Sequence, residues 1–416
     1  MAEILSDVDV VVIGAGPSGA IASALLHRKG YRVLVMEREV FPRFSIGESL
    51  LPQCMVYLEE AGMLDAVRAH GFQLKNGAAF GWGERRAHYN FEEKFSEGPG
   101  TTFQVERAAF DKLLADEAAA QGVAIHYGYS ITELDLEGER ARVEYVDPEG
   151  QKGRVNARFV LDASGFGRVA ARLLNLETPS DFPVRQAAFT HIDDHIDDPA
   201  FDRHKILITV HPEDRDIWFW LIPFSNGKSS LGVVASESQL ARRNAGSPLE
   251  LLQQCVAEAP SFARLLANAS YAYPGRQITG YASNVSHMAG DKFALLGNAG
   301  EFLDPVFSSG VTIAMRSASM AAQMLDRQLS GHSVDWQRDY EEPLRRGVDT
   351  FRVYVEHWYS GEFQDVIFFP DQTDSVRRMI SSILAGYAWD TGNPMVSQPQ
   401  RRLHALARYC VAEDSD

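Results

Sequence analysis

The sequence predicts an α/β fold built around a dinucleotide-binding unit, and two segments near the N-terminus indicate it. Val8–Ile13 is a hydrophobic run that leads into a G-x-G-x-x-G pattern at Gly14, Gly16 and Gly19, and an alanine-rich helical segment follows. Tyr31–Met36 is a second hydrophobic run. A strand, a glycine turn, a helix and a second strand are the parts of a βαβ unit that binds a dinucleotide.

The residues of this unit suit a diphosphate and an adenosine ribose. Gly14 permits the tight turn, Gly16 lets the backbone approach a pyrophosphate, and Gly19 lets the helix pack against the strand. The N–H groups and the positive end of the helix, around Ser18, favour the diphosphate. Glu37 ends the second strand, where an acid accepts hydrogen bonds from the ribose hydroxyls.

Length and composition limit the classes of protein that fit. The chain has 416 residues, which favours two domains and a terminal extension. Its net charge of −16 argues against nucleic acid and anionic membranes as partners. The three cysteines (Cys54, Cys255 and Cys410) lack metal-ligand spacing, so we expect no metal site and a reducing compartment. With no signal peptide before the first strand and no apolar run of ~20 residues, we expect a cytoplasmic protein without a membrane span.

Hydrophobic periodicity assigns the remaining elements in order. After a loop over 38–52, we predict a helical segment at 53–70, strand-like composition at 72–82, and a surface hairpin or loop at 84–98. A strand at 102–105, a helix at 107–121 and strands between 123 and 161 come next. The chain is then rich in strands from about 182 to 236 and helical at 249–267. It continues with a strand at 292–296, a helix at 311–329 and a mostly helical tail from 336 onward.

Several motifs, in chain order, resemble the FAD-dependent monooxygenase superfold. They are the glycine turn, Glu37, the Arg43…Gly47-Glu48-Ser49 loop, Arg107-x-x-Phe110-Asp111, Asp162-Ala-Ser-Gly165 and Gly297…Asp304-Pro305. Three further features resemble the flavin-dependent halogenases of the phenol and pyrrole type. They are Trp218-Phe-Trp220-Leu-Ile-Pro223, Phe302…Pro305…Ser308-Ser-Gly310, and Lys75 after a Gly-Phe pair. The resemblance covers roughly residues 7–330.

The resemblance implies the architecture and the cofactor. The expected fold is α/β. Its Rossmann-like FAD-binding domain has three layers (ββα) and is formed by three segments of the chain (1–75, 100–175 and 276–330). A β-sheet substrate domain (76–99 and 176–275) is inserted into it, and 331–416 forms a helical C-terminal cap. The residues expected to bind FAD are Gly14, Gly16, Ser18, Gly19, Glu37, Arg38, Arg43, Ser49, Arg107, Asp162, Gly297, Asn298, Asp304, Pro305, Gly310 and Val311.

The resemblance also implies the chemistry. Reduced FAD, O2 and a halide (chloride or bromide) would give hypohalous acid, and Lys75 would position or capture the halogen. Trp218 and Trp220 would wall off the flavin from the organic substrate, and Ser308 would lie in the loop that passes the flavin. The backbone N–H groups at Ser309 and Gly310 would hold the halide or the N1/O2 region of the flavin.

Two departures from the family patterns bear on the substrate. Asn298 stands where the superfold usually carries aspartate, and its amide can still hydrogen-bond a ribityl hydroxyl. Phe307 stands where tryptophan halogenases carry a glutamate before the serine, which favours a phenol or a pyrrole over free tryptophan.

The resemblance therefore predicts an FAD-dependent halogenase-type oxidoreductase of secondary metabolite biosynthesis. A separate NAD(P)H flavin reductase is implied because the chain has one dinucleotide fingerprint, and a substrate tethered to an acyl carrier protein remains open. The first alternative is a non-halogenating monooxygenase, dehydrogenase or reductase on the same scaffold, because fold does not fix function. The second is a flavin-binding accessory protein of such a pathway.

Overall fold

The computed structural model describes residues 3–4 and 7–413, with side chains from residue 7 onward. Residues 1, 2, 5, 6 and 414–416, at the ends of the predicted FAD-binding and C-terminal domains, lie outside the described residues. The strands are β1 (Glu3–Ile4), β2 (Val8–Ile13), β3 (Val33–Glu37), β4 (Gln73–Lys75), β5 (Gly77–Trp82), β6 (Arg85–Asn90), β7 (Thr102–Gln104), β8 (Ala124–Tyr127), β9 (Ser130–Asp135), β10 (Ala141–Val146), β11 (Lys152–Asp162), β12 (Glu177–Thr178), β13 (Arg185–Asp193), β14 (Lys205–Val210), β15 (Trp218–Pro223), β16 (Lys228–Ser236), β17 (Arg276–Thr279), β18 (Asn284–Val285), β19 (Ala289–Gly290) and β20 (Phe293–Leu295).

The helices alternate with the strands in the first half of the chain and dominate its end. They are α1 (Pro17–Arg28), α2 (Cys54–Glu60), α3 (Leu64–His70), α4 (Arg107–Ala120), α5 (Val169–Leu173), α6 (Glu237–Ala241), α7 (Pro248–Ala257), α8 (Pro260–Leu265), α9 (Gly310–Leu329), α10 (Glu342–Tyr359), α11 (Glu362–Phe368), α12 (Asp374–Leu384), α13 (Pro394–Ser397) and α14 (Pro399–Glu413). None of these helices combines the length and apolar composition needed to cross a bilayer. The predicted α/β fold with a helical C-terminal region is confirmed.

The first sheet carries the glycine turn. Its central order is β19-β20-β11-β2-β3-β8, and β20, β11, β2, β3 and β8 run parallel. Strand β2 is an almost unbroken apolar run, as expected of a parallel strand that is buried on both faces. The carboxyl ends of β2, β3 and β11 therefore meet at one edge, where open α/β sheets bind their ligands.

The second sheet lies across a cavity from the carboxyl-end edge of the first sheet. Its order is β17-β13-β16-β15-β14-β5-β6, and every neighbouring pair is antiparallel except β14 with β5. Along β15, Trp218, Trp220 and Ile222 join the main core, whereas Phe219 and Leu221 join a separate core beneath α7 and α8. This alternation follows from the period of two residues along a strand.

Two predicted helical segments are each broken in the structure. The segment at 53–70 is divided into α2 and α3, and Gly62 between them has a φ of +70°. The segment at 249–267 is divided into α7 and α8 at Pro260. Proline has no N–H to continue a helix and disfavours helical backbone in the residue before it.

Candidate active site

A cavity of about 950 Å³ lies between the edge of the first sheet and one face of the second. One wall consists of the glycine turn, strand ends of the first sheet and the start of the long helix α9, and the other includes residues of β15. Among the predicted site residues, those that line it are Gly14, Gly16, Ser18, Glu37, Arg38, Arg43, Ser49, Arg107, Trp218, Trp220, Asn298, Pro305, Ser308, Ser309, Gly310 and Val311. The structure therefore brings residues from five separate stretches of the sequence to one ligand-sized space.

The glycine turn has the close packing that its pattern predicts. Gly14 has a φ of +97°, and a Cβ there would lie 2.7 Å from the Ala163 carbonyl oxygen. A Cβ on Gly19 would lie 2.0 Å from the Gly14 carbonyl oxygen, although Gly19 itself does not line the cavity. Helix α1 begins at Pro17, so its first turn faces the cavity with the partial positive charge of a helix N-terminus.

Glu37 connects the end of β3 to the glycine turn. Its Oε2 accepts a hydrogen bond from the Ala15 N–H at 2.8 Å, and its Oε1 accepts one from the Glu39 N–H at 2.8 Å. The side chain is buried and lines the cavity, whereas Arg38 pairs with Glu39 at the exposed rim. Each carboxylate oxygen retains a lone pair that a ribose hydroxyl can use.

Two arginines share one aspartate beside the glycine turn. Asp111 Oδ2 lies 3.0 Å from Arg43 Nη1, and its Oδ1 lies 2.7 Å from Arg107 Nε. A Cβ on Gly16 would lie 3.4 Å from Arg43 Nη2, so this guanidinium reaches the turn. Two cations and one anion leave one net positive charge where the cofactor's diphosphate would lie.

This arrangement predicts the effect of removing one arginine. Replacing Arg43 with Met leaves Arg107 and Asp111 as a neutral pair, so we expect FAD to bind about 10-fold to 100-fold more weakly, the value of a charge-assisted hydrogen bond. Titration of the apoprotein with FAD, followed by flavin fluorescence, measures this affinity. Arg68→Met, at an exposed pair with Asp65, is the matched control. Equal affinities in the two variants would contradict the assignment.

The tryptophans of β15 are fixed by partners on neighbouring elements. The Trp220 indole lies over Gly232, where a Cβ would come within 2.2 Å of its Cζ2, and its Nε1 donates to Ser230 Oγ at 3.1 Å. Trp218 Nε1 donates to Tyr359 Oη at 3.0 Å. Both indoles are buried and line the cavity, so they form a rigid aromatic wall.

Asp304 lies behind the cavity rather than on it. Its Oδ1 accepts from the Val306 N–H at 3.0 Å, and its Oδ2 accepts from the hydroxyls of Tyr281 and Tyr359 at 3.1 and 2.8 Å. Burial raises the pKa of this carboxyl to about 6, although these hydrogen bonds and Arg185 oppose the shift. The structure thus places Asp304 as the cap of the turn at Pro305 and not in contact with the cavity.

Two other predicted FAD residues also act from behind the wall. Asp162 accepts hydrogen bonds from the Ser164 and Ala170 N–H groups, which fixes the turn after β11. Gly297 packs against α9, where a Cβ would lie 2.7 Å from Ala314 Cβ. Neither lines the cavity, so each shapes the backbone that does.

The start of α9 faces the cavity with its backbone. Ser308 has a φ of +56°, Ser309 is buried, and the 20-residue helix begins at Gly310. Asn298 lies beside this turn, since a Cβ on Gly310 would be 3.7 Å from its Oδ1. The positive end of a long helix at this point suits an anion or an electron-rich flavin edge.

Lys75 lies outside the cavity lining, in a sealed position. Its side chain is 1% exposed, and its Nζ donates to the Leu50 carbonyl oxygen at 2.8 Å and lies 5.4 Å from the Phe91 ring centroid. Burial lowers the pKa of this amine to about 7, with a small opposing effect from Cys54. Cys54 Sγ lies 3.2 Å from Thr312 Oγ1 in the first turn of α9, so Lys75 sits one layer behind the cavity wall.

Sequence reasoning missed several polar residues of the site. Asp111 belongs to the motif that begins at Arg107 but was not among the residues expected to bind FAD, although the i, i+4 spacing of this pair on a helix face could have identified it. Tyr359 belongs to the C-terminal helices, and no local pattern connects it to Trp218. His191, which donates to Glu48, is 143 residues away from it in the chain.

The residues of the cavity fit FAD. The glycine turn leaves no room for a Cβ at Gly14 or Gly19, one net positive charge lies beside it, and a buried carboxylate ends β3. Beyond them, the Trp218 and Trp220 indoles and the N-terminus of α9 offer aromatic surface and partial positive charge to a flavin ring. Within the described residues, no cluster of His, Cys, Asp and Glu side chains could hold a metal ion.

Comparison with known proteins agrees with this fit. A family model described as an FAD binding domain matches residues 7–349. The crystal structure of a flavoprotein/dehydrogenase from Cytophaga hutchinsonii is 43% identical, covers 98% of this chain and 100% of that chain, and superposes with a TM-score of 0.94.

Curated relatives of this chain include halogenases that act on different substrates. A tryptophan 2-halogenase of Chondromyces crocatus is 30% identical over 341 residues, which are 79% of this chain and 63% of the relative. A chlorinase of Pseudomonas fluorescens that acts on 1H-pyrrole-2-carbonyl-(peptidyl-carrier protein) is 26% identical over 384 residues, 85% of this chain and 84% of the relative. The chain thus spans less than two thirds of the tryptophan 2-halogenase but most of the chlorinase.

Proposed function

Because this chain belongs to the family of FAD-binding flavoproteins that includes the flavin-dependent halogenases, we propose that it halogenates an electron-rich aromatic molecule. The chain is a flavin-dependent oxidoreductase, and FAD is its cofactor. The substrate class that we propose is a phenol or a pyrrole, free or tethered to a carrier protein. A separate NAD(P)H-dependent flavin reductase would supply the reduced cofactor.

Lys75 is the observation that carries this proposal. A fully buried amine with a pKa of about 7 is half neutral near neutral pH, and a neutral amine can take an electrophilic halogen or hydrogen-bond hypohalous acid. A lysine on a protein surface has neither property. Burial of a lysine is costly, and no carboxylate among the described residues pairs with its Nζ.

The cavity supplies the other requirements. Bound reduced FAD supplies the electrons with which O2 becomes an oxidant for halide. The Trp218 and Trp220 wall keeps bulky organic molecules away from that reaction, and the backbone at Ser309 and Gly310 offers the halide an anion site. Hydrogen bonds from Trp218 to Tyr359 and from Tyr359 to Asp304 connect this wall to the turn at Pro305.

Phe307 supports the choice of substrate class. It occupies the place of the glutamate that tryptophan halogenases carry before the serine, and here its ring packs 6.0 Å from Trp358 and 5.5 Å from Phe363. This position thus offers an apolar environment and no carboxylate for a weakly activated carbon. The tryptophan 2-halogenase among the relatives is the reason to include indoles in any substrate panel.

A non-halogenating oxidoreductase is the second candidate. The 43% identical relative is a flavoprotein/dehydrogenase, and Lys75 does not line the cavity that would hold the flavin. In this case a substrate would react inside the cavity, and Lys75 would be inert.

One experiment separates the two candidates. The protein is loaded anaerobically with reduced FAD and mixed with O2 and bromide or chloride beside a panel of phenols, pyrroles, carrier-bound pyrroles and indoles. We expect a product that has gained a halogen in place of hydrogen, detected by mass spectrometry. A product that has gained oxygen, or direct oxidation of NAD(P)H by the protein, would instead establish the second candidate.

A further inference from the structure

A buried carboxylate faces the cavity with one oxygen unused. The Glu48 side chain is 1% exposed and lines the cavity, and His191 Nε2 donates to its Oε1 at 2.7 Å. Among the residues that the structure describes, none donates a hydrogen bond to Glu48 Oε2. Buried polar atoms nearly always have a partner, so this oxygen calls for a donor from a ligand.

The loop that carries Glu48 is held rigidly, so the direction of its side chain is fixed. Arg107 Nη1 donates to the Ile46 carbonyl at 2.8 Å, and the Val105 N–H donates to the Glu48 carbonyl at 2.7 Å. Gly47 has a φ of +102°, and a Cβ there would come within 3.0 Å of Arg107 Nη1. The carboxylate is therefore presented from an ordered backbone.

The wall around Glu48 is mostly apolar. Across the second sheet, His191 pairs with Ser230, which pairs with Ile222, and Ile206 follows on β14. The next row places Phe189 beside Trp220, with ring centroids 5.9 Å apart. All the apolar members of these rows line the cavity.

Charge at this point disfavours an anionic ligand. Burial lowers the pKa of His191, but the hydrogen bond and the charge of Glu48 outweigh it, so the pKa is raised overall. Glu106 and Lys228 also face this imidazole, with opposing effects. Because the unused group is a carboxylate oxygen, an anionic ligand would be repelled and a neutral O–H or N–H donor would be accepted.

We propose that Glu48 and His191 form a substrate subsite inside the cofactor cavity, where Glu48 Oε2 accepts a hydrogen bond from the hydroxyl or pyrrole N–H of a flat aromatic ligand. The proposal shares the substrate class of the proposed function but not halogen transfer. It places an organic ligand on the cavity side of the tryptophan wall, as the second candidate function requires, whereas a halogenation substrate would meet Lys75 behind that wall.

A matched pair of ligands tests the subsite. The FAD-loaded protein is titrated with p-cresol and with 4-methylanisole, its methyl ether, and binding is read from the change in flavin absorbance. We expect p-cresol to bind about ten-fold more tightly than the ether, the value of one hydrogen bond to a charged group. Equal affinities, or no spectral change with p-cresol, would overturn the proposal.

Variants identify the group responsible. Glu48→Gln should lower the affinity for p-cresol about ten-fold and leave that for the ether unchanged, and Glu258→Gln, at a distant pair with Arg243, should change neither. If Glu48→Gln does not retain FAD, His191→Gln replaces it, with the same expectation for p-cresol. A variant that weakens both ligands equally would show a merely structural role and overturn the subsite.

The same preparations keep this result separate from halogenation. Lys75→Met should bind p-cresol as the wild type does, because Lys75 does not line the cavity. Halogenated product with equal affinities for p-cresol and its ether would overturn the subsite but not the proposed function. Tighter binding of p-cresol without halogenated product would support the subsite and overturn halogen transfer.

Discussion

We expect replacement of Lys75 with Met to lower halogen transfer at least 100-fold, measured as product formed per reduced FAD consumed, while FAD binding and O2 consumption persist. The reason is that Met fills the same buried volume but has no nitrogen to hold or accept the halogen. Product mass spectrometry with a parallel peroxide assay measures both quantities. We expect the lost halogenated product to be replaced by hydrogen peroxide. Undiminished halogenation in Lys75→Met would contradict the assigned role.

The lowered pKa of Lys75 adds two readouts. The neutral amine predominates above a pH of about 7, so we expect wild-type halogenation to rise through that pH and level off. The folded protein binds this proton less tightly than the unfolded chain does, so the amine lowers the free energy of unfolding. This destabilisation has its full value below pH 7, decreases as the pH rises and vanishes only near 10.5. Lys75→Met should therefore raise the Tm at pH 7 by several degrees, and a lowered Tm would show that burial costs nothing here.

Gly19→Ala should eliminate FAD retention. The new Cβ would lie 2.0 Å from the Gly14 carbonyl oxygen and 3.2 Å from Ala163 Cβ, both fixed parts of the cavity floor. Either α1 moves away from β2 or the glycine turn opens, and each displaces the backbone that would hold the diphosphate. We expect purified protein without yellow colour and a free energy of unfolding lower by about 1–3 kcal/mol, as for other overpacked cores.

Gly81→Ala serves as the matched control. A Cβ there meets its nearest neighbours, Arg86 Nη1 and Thr209 Oγ1, at 3.5 and 3.6 Å, which is ordinary contact. This variant should retain FAD and its Tm. A yellow Gly19→Ala protein with wild-type FAD content would refute the packing argument.

Local patterns were sufficient for the parts of the fold that depend on local rules. The glycine turn, the two-sided face pattern of Trp218 to Ile222 and the start of α9 each follow from backbone sterics or from a period of two or 3.6 residues. The breaks at Gly62 and Pro260 are also encoded locally, by those two residues. Hydrophobic spacing continues across both, so the spacing alone predicts one helix where the structure has two.

Tertiary pairings were beyond such rules. Tyr359 reaches Trp218 and Asp304 from the C-terminal helices, and His191 reaches Glu48 from another sheet. Neither contact has a spacing that a single sequence can reveal, because it depends on how whole elements pack. For the same reason, the sequence could name Lys75 but not its position behind the cavity wall.

The shared aspartate beside the glycine turn has a kinetic consequence. The protein as a whole carries a net charge of −16, whereas the Arg43–Asp111–Arg107 group is locally positive. An incoming dianion is repelled at long range and attracted only within about 10 Å of the cavity. Added salt screens the distant repulsion more than the half-buried contact, so it speeds capture of the cofactor while scarcely hastening its escape.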